Sequence, residues 1–181
     1  MNASCPVIGT PLHVAAAENV PNRYTIMKIL LESGADPNLV VISDDGMPLK
    51  AVLGEYLSSN VHPEASIAKL LMKYGAKVIL KSQFRHPLGI LNCLENVALD
   101  DQLLEEILLS AESFDRPMIR RSSALSEEQK EIALNMSVTP MSLKHQTRLF
   151  LRKLLGSRLP SLAHALELPH VLAHYLLFQI S

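Results

Sequence analysis

The fold is decided by a two-part stretch near the start of the chain, which returns once further along. Residues 10–16 read Thr-Pro-Leu-His-Val-Ala-Ala, and residues 29–38 read Ile-Leu-Leu-Glu-Ser-Gly-Ala-Asp-Pro-Asn. The same shape returns as Gly-Met-Pro-Leu-Lys-Ala-Val at residues 46–52 and Leu-Leu-Met-Lys-Tyr-Gly-Ala-Lys at residues 70–77. Pro11 and Pro48 lie 37 residues apart, and Gly34 and Gly75 lie 41 apart. A repeat of this length predicts stacked supersecondary units.

The residue types at these positions favour pairs of short helices. Thr10 is a helix-capping residue, and Pro11 suits the first helical position, where the missing N–H of proline costs nothing. The small alanines that follow allow close packing between helices. Gly34 and Gly75 follow leucine-rich segments at the place where a helix ends in a left-handed residue.

The stretch resembles the ankyrin repeat, which has a period of about 33 residues and a T-P-L-H-x-A signature. We expect repeats at about 8–42 and 43–82 and a degenerate repeat at 83–114, which lacks the glycine stop. The connections near Asn19–Tyr24 and Leu57–Pro63 are longer than usual, and we expect them to face a substrate. No polar capping unit precedes the first repeat, so we expect a short form or a piece of a longer array.

Composition supports a helical fold and excludes some functions. Of the 181 residues 48% are apolar, only 4% are aromatic, and none is Trp. Leucine and alanine favour helices over strands, which predicts an all-α protein. With 17 Lys and Arg against 18 Asp and Glu, a general nucleic-acid binder is not expected. Because no secretory signal and no apolar run of about 18 residues is visible, we expect a cytoplasmic location, with the nucleus as alternative, and no membrane partner.

A change of character begins after the repeats. We interpret 115–138 as a polar hinge followed by a short helix, which starts with a capping box formed by Ser126 and Gln129. The rest of the chain, 139–181, is rich in leucine. Three prolines divide it into three helical segments and are well placed to start them: Pro140, Pro160 and Pro169.

The first of these segments has two kinds of side chain. Apolar or small residues recur at helical spacing on one face: Leu143, Thr147, Leu151 and Leu154. The helix and the turn after it also carry a basic set, which we interpret as a solvated face: Lys144, Arg148, Arg152, Lys153 and Arg158. A module of about 40 residues cannot bury this much apolar surface by itself, so we expect part of it to face a partner.

These residues bring a second resemblance. Residues 142–151 read Ser-Leu-Lys-His-Gln-Thr-Arg-Leu-Phe-Leu and resemble the elongin-binding box of a SOCS box, and Leu-Pro-Ser-Leu at 159–162 resembles its cullin box. Ankyrin repeats followed by a SOCS box are the arrangement of the ankyrin repeat and SOCS box family. The resemblance implies a short ankyrin-repeat solenoid followed by a three-helix SOCS box.

The resemblance also implies a function. The chain would be a non-catalytic substrate-recognition adaptor of an elongin B/C–cullin-5–RING ubiquitin ligase, which recruits a target protein for ubiquitination and proteasomal degradation. The implied partners are elongins B and C, cullin-5 with its RING subunit, and an unidentified substrate protein. The implied elongin contacts are Leu143, Thr147, Leu151 and Leu154. The implied cullin contacts are Leu159, Pro160 and Leu162.

Two of these positions differ from the family pattern. Thr147 stands where the elongin box usually has cysteine, and Leu162 stands where the cullin box usually has a second proline.

An ankyrin scaffold that binds proteins without ubiquitin-ligase output is the alternative. No phosphate loop, nucleophile elbow or paired-carboxylate motif is present, so we expect neither an enzyme nor a cofactor. His170 and His174 lie four residues apart without a second ligand pair, and we expect no metal site.

Overall fold

The computed structural model describes residues 2–17 and 20–177, and helices make up most of its regular structure. The expected all-α class is confirmed. The α-helices are α1 (Pro11–Ala17), α2 (Arg23–Glu32), α3 (Val52–Ser59), α4 (Ala65–Lys73), α5 (Asp101–Leu109), α6 (Arg116–Arg121), α7 (Glu127–Val138), α8 (Leu143–Leu155), α9 (Leu159–Ala165) and α10 (His170–Leu176). The end of the expected SOCS box, 178–181, and Asn19 of the first expected substrate turn lie outside the described residues.

The helices stack in pairs. α1 packs against α2 and α3, α3 packs against α4, and α2 contacts α4. Their inward faces join one continuous apolar cluster that extends through α5 to α7 and includes Leu12, Leu57, Leu71 and Ile107. A short parallel pair, β1 (Ile79–Leu80) and β2 (Ser113–Phe114), ties the second unit to the end of α5. The cluster shows why the units cannot stand alone, because each buries its apolar face against the next.

The two glycines end their helices as the sequence predicts. Gly34 after α2 and Gly75 after α4 have φ of +88° and +94°, in the left-handed region that favours glycine. An asparagine reinforces each turn. The Asn2 amide donates to Gly34 O and its oxygen accepts from Asp36 N, while Asn38 does the same for Gly75 and Lys77. The two repeats therefore share the same turn and the same asparagine hydrogen bonds at their ends.

His13 joins the first unit to the second. Its Nδ1 accepts the Thr10 N–H at 3.2 Å, so Nε2 carries the proton and donates to Lys50 O at 3.2 Å. The imidazole is buried, and burial lowers its pKa. His13 therefore has a structural hydrogen-bonding role.

Between β1 and α5 the chain departs from the two-helix pattern. Two 3₁₀ turns, Leu91–Cys93 and Val97–Leu99, stand where the earlier units have their first α-helix. Their apolar residues are still inward, since Leu91, Leu94 and Val97 are buried.

The segment that we interpreted as a polar hinge contains a helix instead. Asp115 is buried, caps α6 by accepting the Met118 N–H, and pairs with Arg85 at 3.0 Å. Ile119 is fully buried beneath the helix. The hinge interpretation is wrong, because the Asp115 cap and the packing of Met118 and Ile119 against the core hold this stretch as a short helix. The capping box of α7 is confirmed, with reciprocal bonds between Ser126 and Gln129.

Truncation of a side chain between the units should destabilise the whole stack. Leu57 is fully buried, so Leu57→Ala is expected to lower the free energy of unfolding by about 2–5 kcal/mol. The exposed Leu99 provides the control, and Leu99→Ala should change the free energy by less than about 0.5 kcal/mol. Urea unfolding followed by circular dichroism measures both. Equal effects of the two variants would contradict this packing.

Protonation of His13 should cost stability in acid. Because burial lowers its pKa in the folded chain, the unfolded state takes up the proton first as the pH falls below about 6.5. The stabilisation is therefore complete above that pH and is lost below it. Urea midpoints at pH 7.5 and 5.5 should fall less for His13→Gln than for the unaltered chain. An identical fall in both would exclude this role.

Candidate functional site

The leucine-rich segment begins as a capped helix. Ser142 caps α8 by accepting the His145 N–H at 3.2 Å, and Gly156 ends the helix with φ of +53°. Pro140 lies two residues before the cap. It disfavours the helical conformation at Thr139 and so separates α8 from α7. The result is an amphipathic helix of 13 residues that presents two chemically different faces.

One face of α8 is apolar and exposed. Leu143 is 79% exposed and Leu154 is 62% exposed, and Phe150 between them is also exposed. The spacings of seven and four residues place all three on one side of the helix. Leu151 is half-buried beside them. Large apolar side chains in such a row are typical of a protein-binding face.

Thr147 lies on this exposed face, and its hydroxyl is already satisfied. Thr147 Oγ1 donates to Leu143 O at 2.8 Å, one turn earlier in the same helix. Back-bonding of this kind is common for threonine in helices. The side chain therefore offers its methyl group, and burial of its hydroxyl against a partner leaves no donor unpaired.

The opposite face of α8 is cationic and buried, which corrects the sequence-based interpretation. Arg148 is 6% exposed and Arg152 is 4% exposed. Arg152 donates to Met72 O at 2.6 Å and to Ala76 O at 3.0 Å, and Arg148 donates to Leu109 O at 3.0 Å. The interpretation of these two arginines as part of a solvated face is wrong, because carbonyls at the ends of α4 and α5 receive them. Lys144, Lys153 and Arg158 are exposed, as expected.

Burial lowers the pKa of both arginines but leaves them charged. Burial lowers the pKa of Arg152 to about 10, while the nearby Glu112 carboxylate raises it. Burial likewise lowers the pKa of Arg148, whose guanidinium lies 4.5 Å from the centre of the Tyr175 ring. Both arginines are charged at neutral pH. Tyr175 joins α10 to α8 through Arg148 and Lys144, whose cationic groups lie over its ring.

The predicted cullin contacts lie mostly inside the module. Leu159 is 1% exposed, and it packs with Ala163, Leu177 and Leu155 into a small separate core. Pro160 is buried and Leu162 is half-buried. Sequence reasoning missed a second set of exposed apolar residues near the end of the module: Leu166, Val171 and Leu172. These residues, like Phe150, could have been found as apolar residues left over once a three-helix core is filled.

On the repeats, exposed apolar side chains lie on the finger loops, which we define as the turns closed by the Cys5–Gly9, Ile42–Pro48 and Ile79–Gly89 bridges. A groove of about 570 Å³ runs along them. Its lining includes Val7, Ile8 and Met47 at the tips, with Val14 of α1 and Gln83 of the third loop. These residues were missed by sequence reasoning, which chose the turns between paired helices.

Within those turns, Arg23 and Asn60 are linked to the stack. Arg23 donates to the Asn60 side chain, and Asn60 donates to Ala16 O at 3.3 Å and to Tyr56 O at 2.6 Å. Arg23 also lies 5.8 Å from the centre of the Tyr56 ring. These contacts link α1, α2 and α3, so this edge has a structural role.

Two negative findings concern the described residues alone. Within 2–17 and 20–177, no group of three His, Cys, Asp or Glu side chains could hold a metal ion. Over the same stretch, no helix is long and apolar enough to cross a membrane.

Comparison with known families agrees with this architecture. The ankyrin repeat family matches residues 9–41, and the SOCS box family matches residues 139–177. No match is found among curated proteins or among solved structures.

The chain thus contains an ankyrin repeat and a SOCS box. Ankyrin repeats bind proteins, and a SOCS box is the module of elongin B/C–cullin ubiquitin-ligase adaptors, so the chain combines a protein-binding part with a ligase-adaptor part.

The two kinds of leucine in the SOCS box should respond differently to truncation. Leu159→Ala removes a buried side chain and is expected to lower the stability of the module by about 2–5 kcal/mol. Leu143→Ala removes an exposed one and should change stability by less than about 0.5 kcal/mol. Hydrogen exchange of α8 to α10 in the free chain measures both. Strong destabilisation by Leu143→Ala would show that this face is not free.

Proposed function

We propose that the chain is the substrate receptor of a cullin-5–RING ubiquitin ligase, with elongins B and C as the link. The observation that carries the proposal is the apolar row on α8, whose leucines are exposed although the same helix buries its arginines. Exposed leucines opposite buried arginines do not stabilise the folded chain by themselves, and such an apolar row is typical of a surface that another protein covers.

Elongin C is the proposed cover for the row. Leu143 at the first turn would be the anchor, with Leu151 and Leu154 extending the contact along the helix, in the manner of a helix in a groove. Thr147 fits a position that is usually cysteine, because its hydroxyl is bonded inside the helix and its methyl group is free. The departure from the family pattern is therefore compatible with elongin binding.

Cullin-5 is the proposed scaffold, and the three cullin-box residues would act in different ways. Leu159 and Pro160 are buried at the start of α9, so their role would be to fix the corner between α8 and α9. Leu162 is half-exposed and is the member of the set that a cullin could contact. Its replacement of the usual proline keeps an apolar side chain at that place.

The finger-loop groove is the proposed substrate site. It combines exposed apolar tips with polar groups, such as Lys50 just before α3 and Glu55 within that helix. The bound protein would be ubiquitinated by the enzymes that the RING subunit recruits and then degraded. The chain itself would contribute proximity and no chemistry, and a cytoplasmic location would suit this role.

Elongin capture tests the proposal. The unaltered chain, co-expressed with elongins B and C, is expected to form a stable complex by gel filtration. Leu143→Ala should weaken binding about 10–100-fold, since one buried leucine contributes about 1.5–3 kcal/mol. Leu166→Ala, an equally apolar and exposed change on the loop after α9, is the matched control and should stay within about twofold.

The scaffold alternative makes the opposite prediction. If the unaltered chain captures no elongin, the adaptor proposal is wrong and a scaffold without ligase output replaces it. If the elongin complex does assemble, its cullin preference is tested next. The complex should retain cullin-5 in preference to cullin-2. Preference for cullin-2 would remove the cullin-5 assignment and leave the elongin contact intact.

A further inference from the structure

The helix α8 lies across the C-terminal ends of two ankyrin helices. Arg152 donates to Met72 O and Ala76 O at the end of α4, and Arg148 donates to Leu109 O, the last residue of α5. Both side chains are almost completely buried by these contacts. The SOCS box therefore meets the repeats through three charge-assisted hydrogen bonds, which two arginines of a single helix donate.

Helix ends explain why cations lie here. The last carbonyls of a helix have no intrahelical donors, and the helix dipole leaves partial negative charge at this end. α5 ends without a glycine stop and without a basic residue in its last turn. Arg148 supplies from the SOCS box the positive donor that this degenerate repeat lacks.

The backbones also meet directly. A Cβ atom added to Gly75 would lie 3.0 Å from the carbonyl carbon of Gly156 and 3.2 Å from its oxygen. Gly75 ends α4 and Gly156 ends α8, so the two glycines pack helix end against helix end. Gly34, the counterpart in the first repeat, has nothing within 4 Å of its added Cβ.

We infer that Arg152, supported by Arg148 and by the Gly75–Gly156 contact, is a positioning residue that holds the SOCS box in one orientation on the repeats. The anchor uses the cationic face of α8, while the apolar row on the opposite face stays free for a partner. Elongin-bound SOCS box and substrate-bound repeats then form one rigid arm. The last step rests on the proposed function, whereas the fixed orientation does not.

A rigid arm matters because transfer by proximity depends on distance and direction. Segments of one chain joined only by a linker sample many separations, and relative motion is the default where an interface is small. An anchor between α8 and the repeats would limit the volume that a bound substrate explores near the ligase. It would thereby restrict which lysines of the substrate can be reached.

Spin-label distance measurement on the full chain tests the inference without any partner. Labels are placed at two exposed positions through Lys28→Cys on α2 and Ala165→Cys on α9, in a Cys5→Ser background. Cys93 is buried and does not compete for the label. The unaltered interface is expected to give one narrow distance distribution.

Variants on the SOCS-box side have a matched control. Arg152→Ala is expected to broaden the distribution about twofold, as for domains that are no longer fixed. Lys153→Ala removes an equal charge from the next, exposed position and should leave it unchanged. Arg152→Lys keeps the charge but not the two-pronged donor and should give an intermediate width. The affinity of Arg152→Ala for elongins B and C should stay within about twofold of the unaltered chain, because the apolar row is untouched.

Variants on the repeat side separate the contact from backbone strain. Gly75→Ala and Gly34→Ala place alanine at similar positive φ, so both carry the same local strain. Only Gly75→Ala pushes against Gly156, and only it should shift or broaden the measured distance.

A narrow, unshifted distribution in both Arg152→Ala and Gly75→Ala would overturn the inference. Equal broadening by Lys153→Ala or Gly34→Ala would overturn it as well, since neither residue makes the contact. Failure of the unaltered chain to bind elongins would end the proposed function while leaving the distance result standing.

Discussion

The contact of Arg152 with Met72 O and Ala76 O joins the SOCS box to the repeats and turns one face of α8 toward them. A guanidinium buried to this degree is costly unless it is fully engaged, and the C-terminal end of α4 provides both acceptor oxygens and partial negative charge. Once that face of α8 is committed inward, helical geometry turns Leu143 and Leu154 outward. The exposure of the apolar row and the burial of the arginines thus both follow from the orientation of α8.

The repeats supply the surface that receives the arginine. Gly75 turns the chain sharply after α4, and Asn38 holds that turn by bonding to Gly75 and Lys77. Because Gly75 has no side chain, Gly156 can approach it closely. The same turn exists after α2, where Gly34 stays uncovered. The glycine turn that ends each complete repeat is therefore also a docking point for the SOCS box after α4.

Much of this could be predicted from sequence where local chemistry decides the outcome. The capping glycines and the capping box at Ser126 each depend on neighbours within a few residues or on the repeat itself. The structure confirms them. The helix at Arg116–Arg121 was not predicted, because Ile119 is anchored by residues far away in the chain.

The basic face of α8 could not be assigned from sequence for a deeper reason. Amphipathic spacing shows that a helix has two faces, and the usual inference turns the apolar one inward. That inference fails here, because the carbonyls at the ends of α4 and α5 receive the arginines and the leucines stay exposed. The burial of Leu159 could not be predicted for a similar reason, because a short motif does not show whether its leucine fills a core or a partner's pocket.

Hydroxyl-radical footprinting of α8, with and without elongins B and C, tests the central claim most directly. The account predicts that Leu143, Phe150 and Leu154 react in the free chain and become protected in the complex, while Leu159 stays unreactive in both. An unreactive Leu143 and Leu154 in the free chain, or a row that remains reactive with elongins bound, would contradict it.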